Sequence, residues 1–308
     1  MSETPAPTPT SAPSKAKAFA RRLLSFVVLW AIILAVMFAG NRMLANVVFL
    51  GIMVFLAGAG LVEFYRLVEK RGWTCFKGCG LFGGALLMVG TFLHCTGKLG
   101  RHDSPARVND FEVCFLILFV LGLCVRQLVS RRNAAGVVAI ATTLFGLMYV
   151  PWLLNFVQKI RFFPGIEGNG KFYVLYFLLV TKFSDTGAYV VGSLFGRHKL
   201  VPRISPAKTW EGFGGAIVVA TAASLLCAHF LGDRMPGMGP LHAVVLGVVL
   251  GSAAVIGDLI ESLFKREAGV KDSGALFPGI GGILDLLDSL LFNAPIMYLY
   301  LRHVLTHP

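Results

Sequence analysis

Apolar runs of membrane-crossing length recur along this chain and leave little freedom in what it can fold into. The hydropathy pattern gives nine, at 23–40, 44–64, 79–95, 111–128, 134–157, 172–195, 213–231, 241–264 and 285–302. Roughly 20 such residues cross the ~30 Å of a bilayer's hydrocarbon core as a helix. Composition agrees: 56% of the 308 residues are hydrophobic and only 14% are charged, against about 25% charged in an ordinary soluble domain. The expected fold is all-α, a polytopic integral membrane protein of about nine transmembrane helices.

The loops between the runs carry the orientation. With the N-terminus cytoplasmic, the inner segments hold 18 Lys and Arg and the outer segments nine, Lys182 lying within a span. That asymmetry follows the positive-inside rule. It accounts for the net charge of +12 without a nucleic-acid partner. Residues 1–20, rich in Pro, Ala, Ser and Thr, are expected to form a disordered cytoplasmic tail. The polar lead and the lack of a small-residue cleavage site make 23–40 a retained anchor rather than a signal peptide. Residues 21–171 are expected to form N-terminal transmembrane helices and 172–308 a C-terminal catalytic transmembrane region. The loops at 196–212 and 265–284 then face the cytoplasm from the inner membrane, where a shared site meets soluble metabolites and inner-leaflet lipids.

Metal-binding cysteines and histidines are not the source of chemistry. The six cysteines lie mostly in or beside apolar spans, with no pair at zinc spacing that has a matching second half, and the seven histidines form no HExxH-like motif.

Charge instead gathers in two blocks. In 258–289, six carboxylates (Asp258, Glu261, Glu267, Asp272, Asp285, Asp288) stand among three cations (Lys265, Arg266, Lys271). Ionised groups beside hydrocarbon are expensive, so such a cluster points to function. If its first part is helical, Asp258, Glu261, Ser262 and Lys265 share one face, as do Asp285 and Asp288 in the next helix. Between them PGIGG, 278–282, cannot sit inside a stable helix. Its glycines allow close backbone approach and offer N–H groups to phosphate, Gly281 and Gly282 among them.

The other block, 182–212, sets Asp185 inside an apolar segment, three residues after Lys182. An internal ion pair is one reading; a bound cation or substrate is the other. The following loop carries Arg197, His198, Lys199, Arg203 and Lys208, with Ser205 and Thr209 as hydroxyl donors. Carboxylates, cations and backbone donors at a membrane surface suit phosphoryl chemistry. Carboxylates hold Mg²⁺, which bridges phosphate oxygens, and Lys and Arg clamp the rest. A purely structural ion-pair network is the alternative. Six acids near three bases leave a negative surplus that a metal would offset.

These residues resemble a known family. Ser262, Lys265, Arg266, Lys271 and Asp272, followed by Pro278, Gly279, Gly281, Gly282, Asp285 and Asp288, are similar to the signature of the phosphatidate cytidylyltransferases (CDP-diacylglycerol synthases). The block from Asp185 through Tyr189, with Ser205, Pro206, Lys208, Thr209, Trp210 and Glu211, is similar to a second stretch of that family, and Glu63, Phe64, Tyr65 and Arg66 to a third. Two positions depart from its pattern: Ile280 stands where the family has His, and Leu286 where it has Arg.

The resemblance implies a membrane enzyme joining CTP to phosphatidic acid, giving CDP-diacylglycerol and pyrophosphate for phospholipid biosynthesis. It implies Mg²⁺ on Asp258 and Asp285, with Asp288 as a further ligand and K⁺ as a candidate second cation. Asp258, Lys265, Asp285 and Asp288 are the expected catalytic residues. Ser262, Arg266, Lys271, Asp272, Gly281 and Gly282 are expected to bind substrate, with Asp185, Ser205, Lys208 and Thr209 as the facing wall. Membrane lipids are partners, and a homodimer is compatible with this reading. Two rivals stay open: a transporter or flippase, which also uses broken helices and intramembrane charge, and a cytidylyltransferase for another lipid phosphate. No inverted repeat is visible, and both charged blocks lie in the C-terminal half.

Overall fold

A computed structural model of the chain describes residues 40–99, 105–129, 136–166, 168–274 and 281–306, together with Trp30, Ala31, Leu34, Ala35 and Phe38. Among the described residues, eight helices are long and apolar enough to cross a membrane, and they correspond in order to the second through ninth expected spans. The first span, 23–40, and the tail before it lie outside the described residues apart from those five positions and Gly40. The chain is a multi-pass, all-α membrane protein.

The helices are α1 (Arg42–Lys70), α2 (Lys77–Cys95), α3 (Pro105–Val129), α4 (Gly136–Leu147), α5 (Leu153–Arg161), α6 (Gly170–Phe195), α7 (Trp210–Leu231), α8 (Pro240–Glu267) and α9 (Ile283–Tyr300). A π-helical turn over Met148–Trp152, built around Pro151, joins α4 to α5 into one span. Proline removes an N–H donor and crowds the preceding turn, which this widened turn accommodates. The spans begin and end on ordinary capping chemistry. The Asn41 side chain accepts the Leu44 N–H at 3.2 Å at the start of α1, and Pro240 opens α8 with the one residue whose missing N–H costs nothing there. Gly269, at φ +68°, closes α8. That left-handed step turns the chain back, with Val270 N–H reaching the Lys265 carbonyl at 2.9 Å.

One hydrophobic core joins both halves of the chain. Leu61 and Tyr65 of α1, Leu154 of α5, Tyr173 and Tyr176 of α6, Leu250 of α8 and Leu287 and Leu291 of α9 all belong to it, so it runs across the 171/172 division made by sequence pattern. The outward faces stay apolar, with Phe82, Leu118, Val137, Val218 and Phe230 exposed, as a lipid-facing surface requires.

The apolar pattern does not reveal one element. Between α6 and α7, β1 (Lys199–Val201) and β2 (Ser205–Thr209) form an antiparallel hairpin, pairing Lys199 with Thr209 and Val201 with Ser205. It carries the basic loop of the 182–212 block.

Candidate active site

Small residues bring the two charged blocks together. A Cβ on Gly187 of α6 would lie 2.6 Å from the Gly215 carbonyl oxygen of α7, so these helices cross with their backbones nearly touching, as small residues permit inside a membrane. The hairpin is then tied down by Glu211, whose carboxylate accepts the Arg197 and His198 N–H groups at 3.1 and 3.2 Å and meets His198 Nδ1 at 2.6 Å. Thr209 caps α7, its Oγ1 accepting the Gly212 N–H at 3.1 Å. This architecture delivers Lys208 to α8, where its Nζ lies 2.7 Å from Asp258 Oδ2. Arg266, about two turns further along α8, donates from Nε to the Ile204 carbonyl at 3.1 Å.

Behind that contact sits a group of carboxylates. Asp258 and Glu261 of α8 and Asp288 of α9 each present an oxygen within 4.8 Å of the others. Asp288 is 8% exposed and Glu261 fully buried. The Lys265 ammonium lies against Glu261 Oε2 as a charge contact. The same ammonium also meets Asp285, so one cation answers two carboxylates. Buried carboxylates are costly unless fully paired, and three of them this close repel one another. Asp185 approaches from α6, held by Lys182 Nζ at 3.1 Å and by the Ser289 hydroxyl at 3.2 Å. Lys182 also donates to the Leu286 carbonyl at 3.3 Å, so the residue standing at the family's arginine position contributes its backbone to this network.

Asp285 has a different environment. Its Oδ1 receives Lys265 Nζ at 2.7 Å. Its Oδ2 accepts the Gly282 N–H at 2.7 Å, the Ser273 hydroxyl at 2.9 Å and the Ser273 N–H at 3.3 Å. At the third position of α9 it closes that helix's first turn. Gly282 therefore gives its N–H to Asp285, and Gly281, at φ +102°, shapes the turn into α9. Pro278, Gly279 and Ile280 lie outside the described residues.

The other expected residues divide by location. Ser262 is buried and its hydroxyl reaches Asp258 Oδ1 at 3.4 Å. Ser205 is a strand residue of the hairpin, half-buried. Lys271 and Asp272 are exposed on the loop after α8. Glu261, Lys182 and Ser289 complete the charged cluster although none was among the expected site residues. Glu261 had a visible signal, lying one turn from Asp258 on the same face. Ser289 had none, since only the packing of α9 on α6 brings it to Asp185.

The donor set fits a hard divalent cation. Its atoms are all carboxylate oxygens, the type that Mg²⁺ takes. Five carboxylates (Asp185, Asp258, Glu261, Asp285, Asp288) face three ammonium groups (Lys182, Lys208, Lys265). The surplus of carboxylates over ammonium groups is negative charge that a cation would offset. Beside the cluster a cavity of about 350 Å³ opens between α6, α7, the hairpin and α8, with Asp185, Tyr189, Lys208, Thr209, Phe213 and Asp258 on its walls.

Comparison with known proteins shows the family. The family model described as "Cytidylyltransferase family" matches residues 20–304. A Mycobacterium leprae protein named phosphatidate cytidylyltransferase is 39% identical over 192 residues, 60% of this chain and 59% of that protein. One of the same name from Staphylococcus saprophyticus is 36% identical over 202 residues, 66% of this chain and 74% of the other. A Haemophilus influenzae protein, again so named, is 41% identical over 128 residues, 41% of this chain and 44% of its own length. The chain thus spans about three fifths of the first relative's length and less than half of the last one's. With the matched region running over nearly the whole chain, and both charged blocks inside it, the chain belongs to the cytidylyltransferase family.

Proposed function

We propose that this protein transfers the cytidylyl group of CTP to phosphatidic acid, releasing pyrophosphate and leaving CDP-diacylglycerol in the membrane. One observation carries the reading: two charged blocks far apart in sequence meet as a single acid-rich cluster, through Lys208 and Asp258 at 2.7 Å, on the wall of a cavity. The names of the relatives supply the substrate pair.

In the reaction, an oxygen of the lipid phosphate monoester attacks the α-phosphorus of CTP. The bond from that phosphorus to the oxygen bridging the β-phosphate breaks, and pyrophosphate leaves with the electron pair. A phosphate monoester is largely dianionic near neutral pH, so no strong general base is required. The protein's task is positioning and charge neutralisation. Asp258, Glu261 and Asp288 would hold Mg²⁺, and the ion would neutralise phosphate oxygens as charge develops. Lys208 swings between Asp258 and an incoming phosphate, and Ser262, Arg266 and Lys271 offer further donors around it. Asp285 keeps Lys265 oriented, and Asp185 does the same for Lys182. The cavity faces the cytoplasm and the inner leaflet of the inner membrane, so the soluble and the lipid substrate arrive from adjoining sides.

Purified protein supplied with Mg²⁺, α-labelled CTP and phosphatidic acid in vesicles should yield a labelled CDP-lipid and one pyrophosphate per turnover. No product under any lipid presentation sinks the synthase reading. Product from an isoprenoid phosphate alone reassigns the lipid.

A further inference from the structure

Glu63 lies in α1, far in sequence from both charged blocks, yet it is bound into the loop that orders the site. It is 4% exposed, and its Oε2 accepts the Leu284 N–H at 2.8 Å and, at 3.1 Å, shares the single Ser273 hydroxyl proton with Asp285 Oδ2. Leu284 belongs to the first turn of α9, whose N–H groups have no partner within the helix, and a carboxylate there also meets the favourable end of the helix dipole. Ser273 is the residue that contacts Asp285 through both its hydroxyl and its N–H. The same carboxylate explains two glycines. A Cβ on Gly274 would stand 2.2 Å from Glu63 Oε1, and one on Gly282 2.4 Å from Oε2. The smallness of the loop at these positions therefore makes room for Glu63.

We infer that Glu63 is a positioning residue. By clamping residues 273–274 and 282–284 together it sets where α9 begins, and so where Asp285 holds Lys265 and where Asp288 meets Asp258 and Glu261. The inference rests on the synthase reading for its kinetic consequence. Glu63 touches neither the carboxylate cluster nor the cavity, so it acts through Ser273 and the α9 backbone. Displacement of reacting groups by about 1 Å can cost on the order of 10²-fold in rate. An interaction of this kind supports the transition state more than it supports ground-state binding, so the loss falls on kcat rather than on KM.

The test uses the full-length protein in vesicles with Mg²⁺, CTP and phosphatidic acid. Glu63→Ala should lower kcat about 10²-fold with KM for CTP little changed. Glu63→Gln, whose amide oxygen still accepts both hydrogen bonds, should recover at least tenfold of that loss. Glu63→Asp, one methylene shorter, covers the case of an Ala variant that does not fold, and should fall between the two. Hydrogen exchange supplies a readout independent of turnover: the 283–288 amides should exchange faster in the Ala variant than in the wild type. Several results would overturn the inference: a folded Ala variant with wild-type kcat, a Gln variant as slow as Ala, a loss confined to KM, or unchanged exchange at 283–288. A wild type that makes no CDP-lipid while exchange still rises in the Ala variant leaves the clamp standing and removes the reaction assigned to it.

Discussion

Among the described residues, two charged clusters lie buried between helices, and they are built on opposite principles. In the N-terminal half, Glu112 of α3 faces Lys159 of α5, each 4% exposed. The acid also accepts from Trp152 Nε1 at 3.2 Å and Asn155 Nδ2 at 2.9 Å, and the lysine donates to Asn109 at 3.2 Å beneath the rings of Phe156 and Tyr298. One acid answers one base, and the neighbouring amides fill the remaining valences. In the C-terminal half, acids outnumber bases, and the most deeply buried of them, Glu261, shares the Lys265 ammonium with Asp285. A membrane interior tolerates the first arrangement because it is complete. The second is costly as it stands, and such a cost is retained where a ligand repays it.

The sharpest way to break this contrast is to neutralise one carboxylate of the surplus. Asp288→Asn keeps the shape and removes a like charge from beside Asp258 and Glu261. Turnover should fall on the order of 10³-fold, about 4 kcal/mol of transition-state stabilisation. In metal-free buffer its thermal midpoint should match or exceed that of the wild type, because repulsion is relieved. A variant that loses stability and activity together would make the cluster structural, like its N-terminal counterpart.

The reverse applies to the balanced pair. Lys159→Met leaves Glu112 buried without its counter-charge and should destabilise the protein by about 3 kcal/mol, read as a lowered unfolding midpoint in detergent. The fraction still folded should keep wild-type kcat and KM. Adding Glu112→Gln should restore most of the lost stability, since replacing both members of a buried pair is often close to neutral. If the single variant changed KM for CTP at constant stability, the N-terminal cluster would belong to the substrate path.

The eight later spans were legible because a membrane crossing needs only length and hydropathy, and the residues of 44–64 or 241–264 supply both without help from tertiary contacts. Asp258, Lys208 and Asp288 were legible as an electrostatic anomaly, a property of one residue against its apolar neighbours. What escaped depends on contacts between distant elements. The hairpin at 199–209 is too short for a periodic signal, and it is held by Glu211 reaching back across it. Ser289 matters only because α9 lies on α6. Gly282 suggests a ligand when read alone, and the structure fills that space with Glu63, some 210 residues away in sequence from Ser273. Sequence pattern thus finds charges that ought to be compensated more readily than it finds the groups that hold them in position.

The contrast also predicts how each cluster responds to metal, an effect smaller than either mutation but specific. A ligand that binds only the folded state at 100-fold excess over its Kd stabilises by about 2.7 kcal/mol. Mg²⁺ should therefore raise the wild-type unfolding midpoint, and Ca²⁺ less so if the oxygens of Asp258, Glu261 and Asp288 converge as tightly as the small ion requires. Glu261→Gln should abolish the shift, because Glu261 is one of the three converging carboxylates, whereas Asp285→Asn, altering a carboxylate outside that group and already held by Lys265 and three protein donors, should reduce it less. Glu112→Gln should leave the metal-induced shift intact even though it lowers the starting midpoint. Equal shifts in the Glu261 and Glu112 variants would place the ion elsewhere, and Lys182, Lys208 and Lys265 would then be the cations left to offset the buried acid.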